Sequence, residues 1–260
     1  MFNSKQTYAC ALLFVVIFLF YIIAVKPNSK HVYCLMVTGY SDKRKPFALQ
    51  SISNFNEQKY QNKRLIIINQ SKEKLIKKND ENILEVYIDN ENKTLGNIRN
   101  ISLQFVPPDA IWTTWDDDDW RHPMYLSTMM KAMYDDNLDF LMLANRIEYN
   151  MNNKFSFKSS LKTGFMHFFS KYNENLQYDD VQTSEDVTVK QYAIDNLKYK
   201  ALDNDSRLYI RFVHGDNTSV YVNENKDYIK DTSRNQIYFE NKLNKKERSF
   251  VNNIIFKYYK

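Results

Sequence analysis

Only four glycines, five prolines and two cysteines occur among the 260 residues. Two cysteines cannot build a disulfide scaffold: Cys10 lies in a long apolar run and Cys34 in a strand-like one, so the pair has no reason to meet. No internal repeat is present. Aromatic residues are missing from the lysine-rich stretches KEKLIKK (72–78) and NKKER (244–248), and no nucleic-acid-binding motif accompanies the net charge of +5. Nucleic acid is therefore excluded as a partner, and both stretches are expected to be solvated helix faces. Charge is absent altogether from Gln6 to Val25. Twenty helical residues span about 30 Å, the thickness of a bilayer's hydrocarbon layer. No A-x-A-like site precedes Lys26, so the run is expected to be an uncleaved anchor and not a signal peptide. That makes the chain a single-pass protein of a secretory-pathway or other internal membrane. Lys5 on one side and Lys26 and Lys30 on the other leave its orientation open.

What remains suits one domain with a large core. The expected division is a tail and anchor over 1–26, a catalytic-size domain over 27–222 and a polar extension over 223–260. HVYCLMVT (31–38), RLIIIN (64–69), ILEVYI (83–88), IWTTW (111–115), LDFLMLA (138–144), TGFMHFF (163–169) and RLYIRFV (207–213) have the composition of strands. Helices are expected over 45–58, 72–78, from Thr94 to Phe105, after Pro123, over 184–196 and at the terminal KYYK. Alternation of this kind implies an α/β fold with a mostly parallel sheet flanked by helices. The scarce glycines, Gly39, Gly96, Gly164 and Gly215, all stand at strand edges or helix starts, where close approach or positive φ is in demand.

The segment IWTTWDDDDWRHP (111–123) places four carboxylates in a row. Like charges about 4 Å apart repel by roughly 4 kcal/mol at an effective dielectric of 20, so the run needs water, a cation or a changed protonation state. Its apolar flanks argue against simple solvation. The acids fall where a strand ends and a loop begins, the usual place for ligands in open α/β sheets. Mg²⁺ or Mn²⁺ takes one or two such carboxylates and completes its shell with phosphate oxygens and water. In an extended segment Asp116 and Asp118 would face one way, and Asp117 and Asp119 the other.

The motifs TLGNIRN (94–100), WDDDDWRHP (115–123), KTGFMHFF (162–169), SEDVTV (184–189) and YIRFVHGDNTS (209–219), in that order after CLMVTGYSDKRKPFALQSISNFNEQKYQNKRLIIIN (34–69), resemble family-2 glycosyltransferases of the GT-A fold. That resemblance implies a GT-A-type Rossmann-like mixed sheet. It also implies metal-dependent transfer from a nucleotide-sugar, a UDP-sugar, to an acceptor hydroxyl with inversion. Asp118 is then the main ligand of Mn²⁺ or Mg²⁺, Asp116 contacts ribose or metal, Asp119 helps, and His214 approaches from the far side. Asp186 is the general base, with Glu185 positioning the acceptor. Thr38, Tyr40 and Asn69 lie where the family holds its nucleobase. Gly96, Arg99 and Asn100 share a helix face at the nucleotide, and Asp117 and Gly164 complete the donor set. His122 and His167 are taken as structural. The chain departs from the family in Asn69-Gln70-Ser71, where acidic residues are usual, and in Val37, where proline is common. The acceptor is a glycan, a protein or a lipid-linked group. Two other functions compete: a degenerate membrane protein that binds sugars or a partner, and a carboxylate-metal phosphoesterase.

Overall fold

The computed structural model describes residues 31–39, 42–71, 73–76, 80–88, 93–152, 154–214, 217, 237–240 and 243–258. The expected anchor over 6–25, Tyr40 and Gly215 lie outside these residues. Among the described residues, no helix is long and apolar enough to cross a membrane.

Strands β1 (Val32–Thr38), β2 (Lys63–Asn69), β3 (Ile83–Tyr87) and β4 (Ile111–Thr114) pair in parallel in the order β3-β2-β1-β4. Successive core residues of β1 and β2 turn to opposite layers and are buried in both, as in a strand covered on both faces. Val32, Cys34, Met36, Leu65 and Ile67 face one layer, with Ala48, Ile52 and Phe55 of α1 (Lys45–Asn56) and Leu126, Met129, Met130 and Met133 of α3 (Tyr125–Asp135). Leu35, Ile66 and Ile68 face the other, with Ile98 and Leu103 of α2 (Leu95–Leu103) and Val189 and Ala193 of α4 (Val187–Asn196).

The second half of the sheet is where the structure departs from expectation. The anticipated strands over 138–144 and 163–169 are parts of two much longer ones, β6 (Phe140–Asn150) and β7 (Phe155–Lys171), joined as an antiparallel hairpin. β7 also runs antiparallel to β4, so the sheet is mixed, as the family resemblance implies. Register shifts around Leu143 bend the hairpin, a bulge device that re-aims side chains. Gly164 lies in this bend at φ +84°, and a Cβ there would come 2.3 Å from Met142 Cβ. Short strands β5 (Trp120–Arg121), β8 (Tyr199–Leu202), β9 (Tyr209–Val213) and β10 (Ile237–Glu240) complete the sheet. Helix α5 (Lys245–Tyr258) adds Val251 and Phe250 to a third apolar cluster, with Trp120, Ile147, Ile210 and Phe212.

The helix expected over 72–78 is not present over 73–76. There the backbone N–H groups of Leu75 and Ile76 donate to the two oxygens of Glu85, both at 2.9 Å. A charged acceptor on β3 thus outcompetes local helix propensity.

Helix α2 begins as the sequence indicates, with the Thr94 hydroxyl accepting from Asn97 N at 3.2 Å. Its first turn presses on the 179–185 loop so closely that a Cβ on Gly96 would stand 1.7 Å from Asp179 O. Backbone cannot retreat as a flexible side chain can. Gly96→Ala is therefore expected to cost about 3 kcal/mol or more, the upper range for overpacking. Denaturant melts of the two proteins check this, and unchanged stability would mean that the loop is not held against α2.

Candidate active site

The acid run closes β4 as a turn centred on Asp117 and Asp118. The expected extended alternation therefore does not hold: all four carboxylates line a single cavity of about 380 Å³. The tryptophans of the motif carry the turn from below. Trp115 is fully buried with the guanidinium of Arg121 4.2 Å from its ring, and Trp120 packs edge-on to Phe250 of α5. Arg121, itself fully buried, donates to Asp116 O (3.2 Å) and to the Tyr209 hydroxyl (3.3 Å). Helix α1 fixes the same turn from the side, through Ser51 to Asp116 O (3.1 Å) and through Asn54, which exchanges two bonds with the Arg121 backbone.

Each acid has its own set of partners. Asp116 meets Arg99 Nη2 at 3.1 Å and His167 Nδ1 at 3.5 Å, and against the opposing effect of burial these cations and dipoles hold it well below the usual carboxylate range. Asp117 accepts from Thr38 Oγ1 (2.6 Å) and pairs with Arg44. Burial and the neighbouring Asp118 nevertheless raise its pKa. Asp118 Oδ2 receives Arg44 Nη2 (3.0 Å), His214 Nε2 (3.1 Å) and Asn217 Nδ2 (3.2 Å). His214 is held in place by stacking on Phe47 of α1, with ring centroids 4.6 Å apart. Asp119 accepts from Tyr209 OH (2.6 Å) and Phe212 N (2.9 Å), yet burial, followed by Asp118 and Asp116, pushes it up to about 7. The turn thus carries more negative charge than its arginines offset.

The loop before α4 supplies the other side. Glu185 is buried and bonded to Arg99 Nε at 3.0 Å, so Arg99 joins Asp116 to Glu185. Asp186 lines the cavity at the start of α4, and its side chain makes no capping hydrogen bond to that helix. Burial raises the pKa of both acids, against the pull of Arg99. Lys190, one turn into α4, donates to Gly164 O at 2.6 Å, and burial brings it down to about 8 while Asp186 opposes the shift.

Three of the residues expected at the nucleotide are used otherwise. Asn69 donates to Glu73 O (2.9 Å) and Glu85 Oε1 (2.6 Å) and accepts from Ser71 N (2.8 Å), so its whole amide folds the loop after β2. Asn100 stands outside the cavity, with both amide atoms bonded at 2.8 Å to the Tyr178 backbone. Gly96 serves the close packing described above. In turn the cavity contains residues that were not among the expected site residues: Arg44, and a cluster formed by Arg146, Glu148 and Arg211 on β6 and β9. Glu148 takes Arg146 Nη2 at 2.7 Å, Arg211 Nη1 at 3.3 Å and Ser159 Oγ at 3.0 Å. Despite burial, the two arginines hold it down to about 2. His167, taken as structural, also lines the cavity. Its ring lies on Tyr209 with centroids 3.9 Å apart, its Nε2 is 2.8 Å from Arg146 Nη1, and burial lowers it to about 4.

Residues 40–192, more than half of the chain, match the family described as glycosyl transferase family 2. The chain belongs to that family. It is accordingly a glycosyltransferase. No curated protein matches it by sequence. Among solved structures it is similar to S. aureus TarS residues 1–349 in complex with UDP-GlcNAc, at 13% identity and a TM-score of 0.57, covering 74% of this chain and 62% of that one. The same protein in complex with UDP gives 12% identity and a TM-score of 0.55, over 70% and 60%. At such identities the likeness is one of fold. This glycosyltransferase spans about six-tenths of the length of those structures.

The donor atoms in the cavity fit a hard divalent cation. Carboxylate oxygens of Asp116 and Asp119 lie within 4.8 Å of each other with His167 beside them, and burial together with the neighbouring Asp118 and Asp116 raises the cost of ionising Asp119, a cost that such an ion would relieve.

Proposed function

We propose that this glycosyltransferase moves a sugar from a nucleotide-sugar, a UDP-sugar, to an acceptor hydroxyl with inversion at the anomeric carbon. The observation that carries the reading is Arg99, which ties Asp116 of the acid turn to Glu185 of the loop bearing Asp186, so that both sets of acids face one cavity. A cavity of about 380 Å³ falls within the range of small-molecule sites.

In this reading Thr38, Arg44 and Asp117 form the nucleotide end. Asp118, Asp116, Asp119 and His214 would hold Mn²⁺ or Mg²⁺. Such an ion supplies neutralisation of the charge on a departing diphosphate. Asp186 accepts the proton of the acceptor hydroxyl as that oxygen bonds to the anomeric carbon and the bond to the diphosphate oxygen breaks. Glu185 has its charge turned to Arg99, and positions that arginine rather than the acceptor.

The test is donor hydrolysis by the purified protein across a panel of nucleotide-sugars with Mn²⁺. One UDP-sugar should be hydrolysed well above the rest. Binding without turnover would favour a degenerate sugar-binding protein, and hydrolysis of phosphodiesters without a sugar donor would favour a phosphoesterase.

Residues 6–25 support a further part of the reading, a membrane anchor. An anchor there would favour acceptors borne on a membrane over free sugars.

A further inference from the structure

Resting on that reading, we propose that His167 is a positioning residue for Asp116, its ring locked by Arg146 in the tautomer that presents an N–H to the carboxylate. A guanidinium has donors and no acceptor. With Arg146 Nη1 at 2.8 Å, His167 Nε2 must therefore be the accepting nitrogen, and the ring proton sits on Nδ1. That nitrogen is buried, has no hydrogen-bond partner among the described residues and lies 3.5 Å from Asp116 Oδ2. The distance is long for a formed bond and short enough to close with a small shift of the carboxylate.

The ring has no freedom to present anything else. It is stacked on Tyr209, whose hydroxyl is bonded to Asp119. Arg146 is anchored at both Nε (3.1 Å) and Nη2 (2.7 Å) by Glu148 Oε1, and its guanidinium lies 3.9 Å from the ring centre of Phe165. Glu148 is fixed in turn by Ser159 and Arg211. The chain Arg211–Glu148–Arg146–His167 thus reaches Asp116 from one side while Arg99 reaches it from the other. A protonated Nδ1 cannot ligate a metal, so His167 orients a carboxylate of the acid turn and is not itself a member of the ligand set. Outer partners of this sort fix the direction of the ligating oxygens.

Asparagine and glutamine separate the two ring nitrogens. His167→Asn keeps an N–H donor at the position of Nδ1, and His167→Gln sets its amide at the position of Nε2, with its oxygen toward Arg146 and no donor at the position of Nδ1. Full-length wild type, both variants and Arg146→Met would be titrated with UDP and Mn²⁺ by calorimetry. Histidine ring ¹⁵N shifts would be recorded on the ligand-free wild type and Arg146→Met. The expected results are a wild-type His167 protonated at Nδ1, loss of that preference in Arg146→Met, and UDP affinity weakened roughly tenfold or more in His167→Gln. His167→Asn should stay close to wild type. A wild-type ring protonated at Nε2, or equal UDP affinity in the two His167 variants, would overturn the proposal. Failure of UDP to bind the wild type would overturn the donor reading instead, and the ring shifts on ligand-free protein would still decide the tautomer.

Discussion

Asp186→Asn is expected to lower sugar transfer by about 10²- to 10⁴-fold, the range for loss of a general base, while UDP affinity stays within error of wild type. The asymmetry follows from placement. Among the described residues Asp186 makes no hydrogen bond to the donor side, and its removal leaves Asp116, Asp117, Asp118 and Arg44 with the partners named above. The wild-type pH profile carries a second expectation. Burial, with help from Asp116, raises the Asp186 pKa against Arg99. A base works in its ionised form, so kcat/KM should fall as pH drops through that raised value. Its acid limb should therefore lie above the range of an ordinary aspartate. Steady-state rates across pH and calorimetry with UDP check both points. A collapse of UDP binding along with transfer would place Asp186 in the donor site or the fold.

Asp118→Asn should cut turnover at least about a hundredfold, the scale for losing an electrostatic contact made to charge that develops in the transition state. Here the loss should extend to donor binding, because Asp118 is the one acid of the turn on which Arg44, His214 and Asn217 all converge. Burial opposes its ionisation, and His214 and Arg44 outweigh that effect. The substitution keeps the shape and removes the charge, so thermal stability of the variant separates a lost site from a lost fold. Excess EDTA should reproduce the loss in wild type, and full activity in EDTA would sink the metal assignment.

The parallel half of the sheet was legible because its strands are short apolar runs covered on both faces, and local composition is enough to mark them. The long β6–β7 hairpin was not. Lys158, Ser159, Ser160 and Lys162 make its far half look like loop, and the strand forms there because β6 and β10 supply its pairing from a distance. The same division holds for the site. Asp116–Asp119, Glu185, Asp186 and His214 carry motifs and do face one cavity or its acids. Arg146 and Glu148 lie in no motif and Arg211 stands inside YIRFVHGDNTS without an expected role, since topology alone brings the three together. A signal was nonetheless available. Each is a charged residue next to buried apolar positions of a strand, and charge in such a place requires a partner. Asn69 and Asn100 stand at matching motif positions, while their amides are taken up by Ser71, Glu73 and Glu85 and by the Tyr178 backbone, partners that no motif pairs with them.

Arg99 holds Asp116 with one nitrogen and Glu185 with another, and a guanidinium is a single rigid plane. Turning it to follow one carboxylate misaligns it with the other. Whatever free energy a nucleotide gains or loses by moving Asp116 is therefore partly registered at the loop that meets the second substrate. Thermodynamic reciprocity then fixes the converse: an acceptor that shifts this loop must change nucleotide affinity by the same factor. The two substrates of this enzyme should consequently bind as a cooperative pair, with Arg99 as the hinge of their mutual dependence.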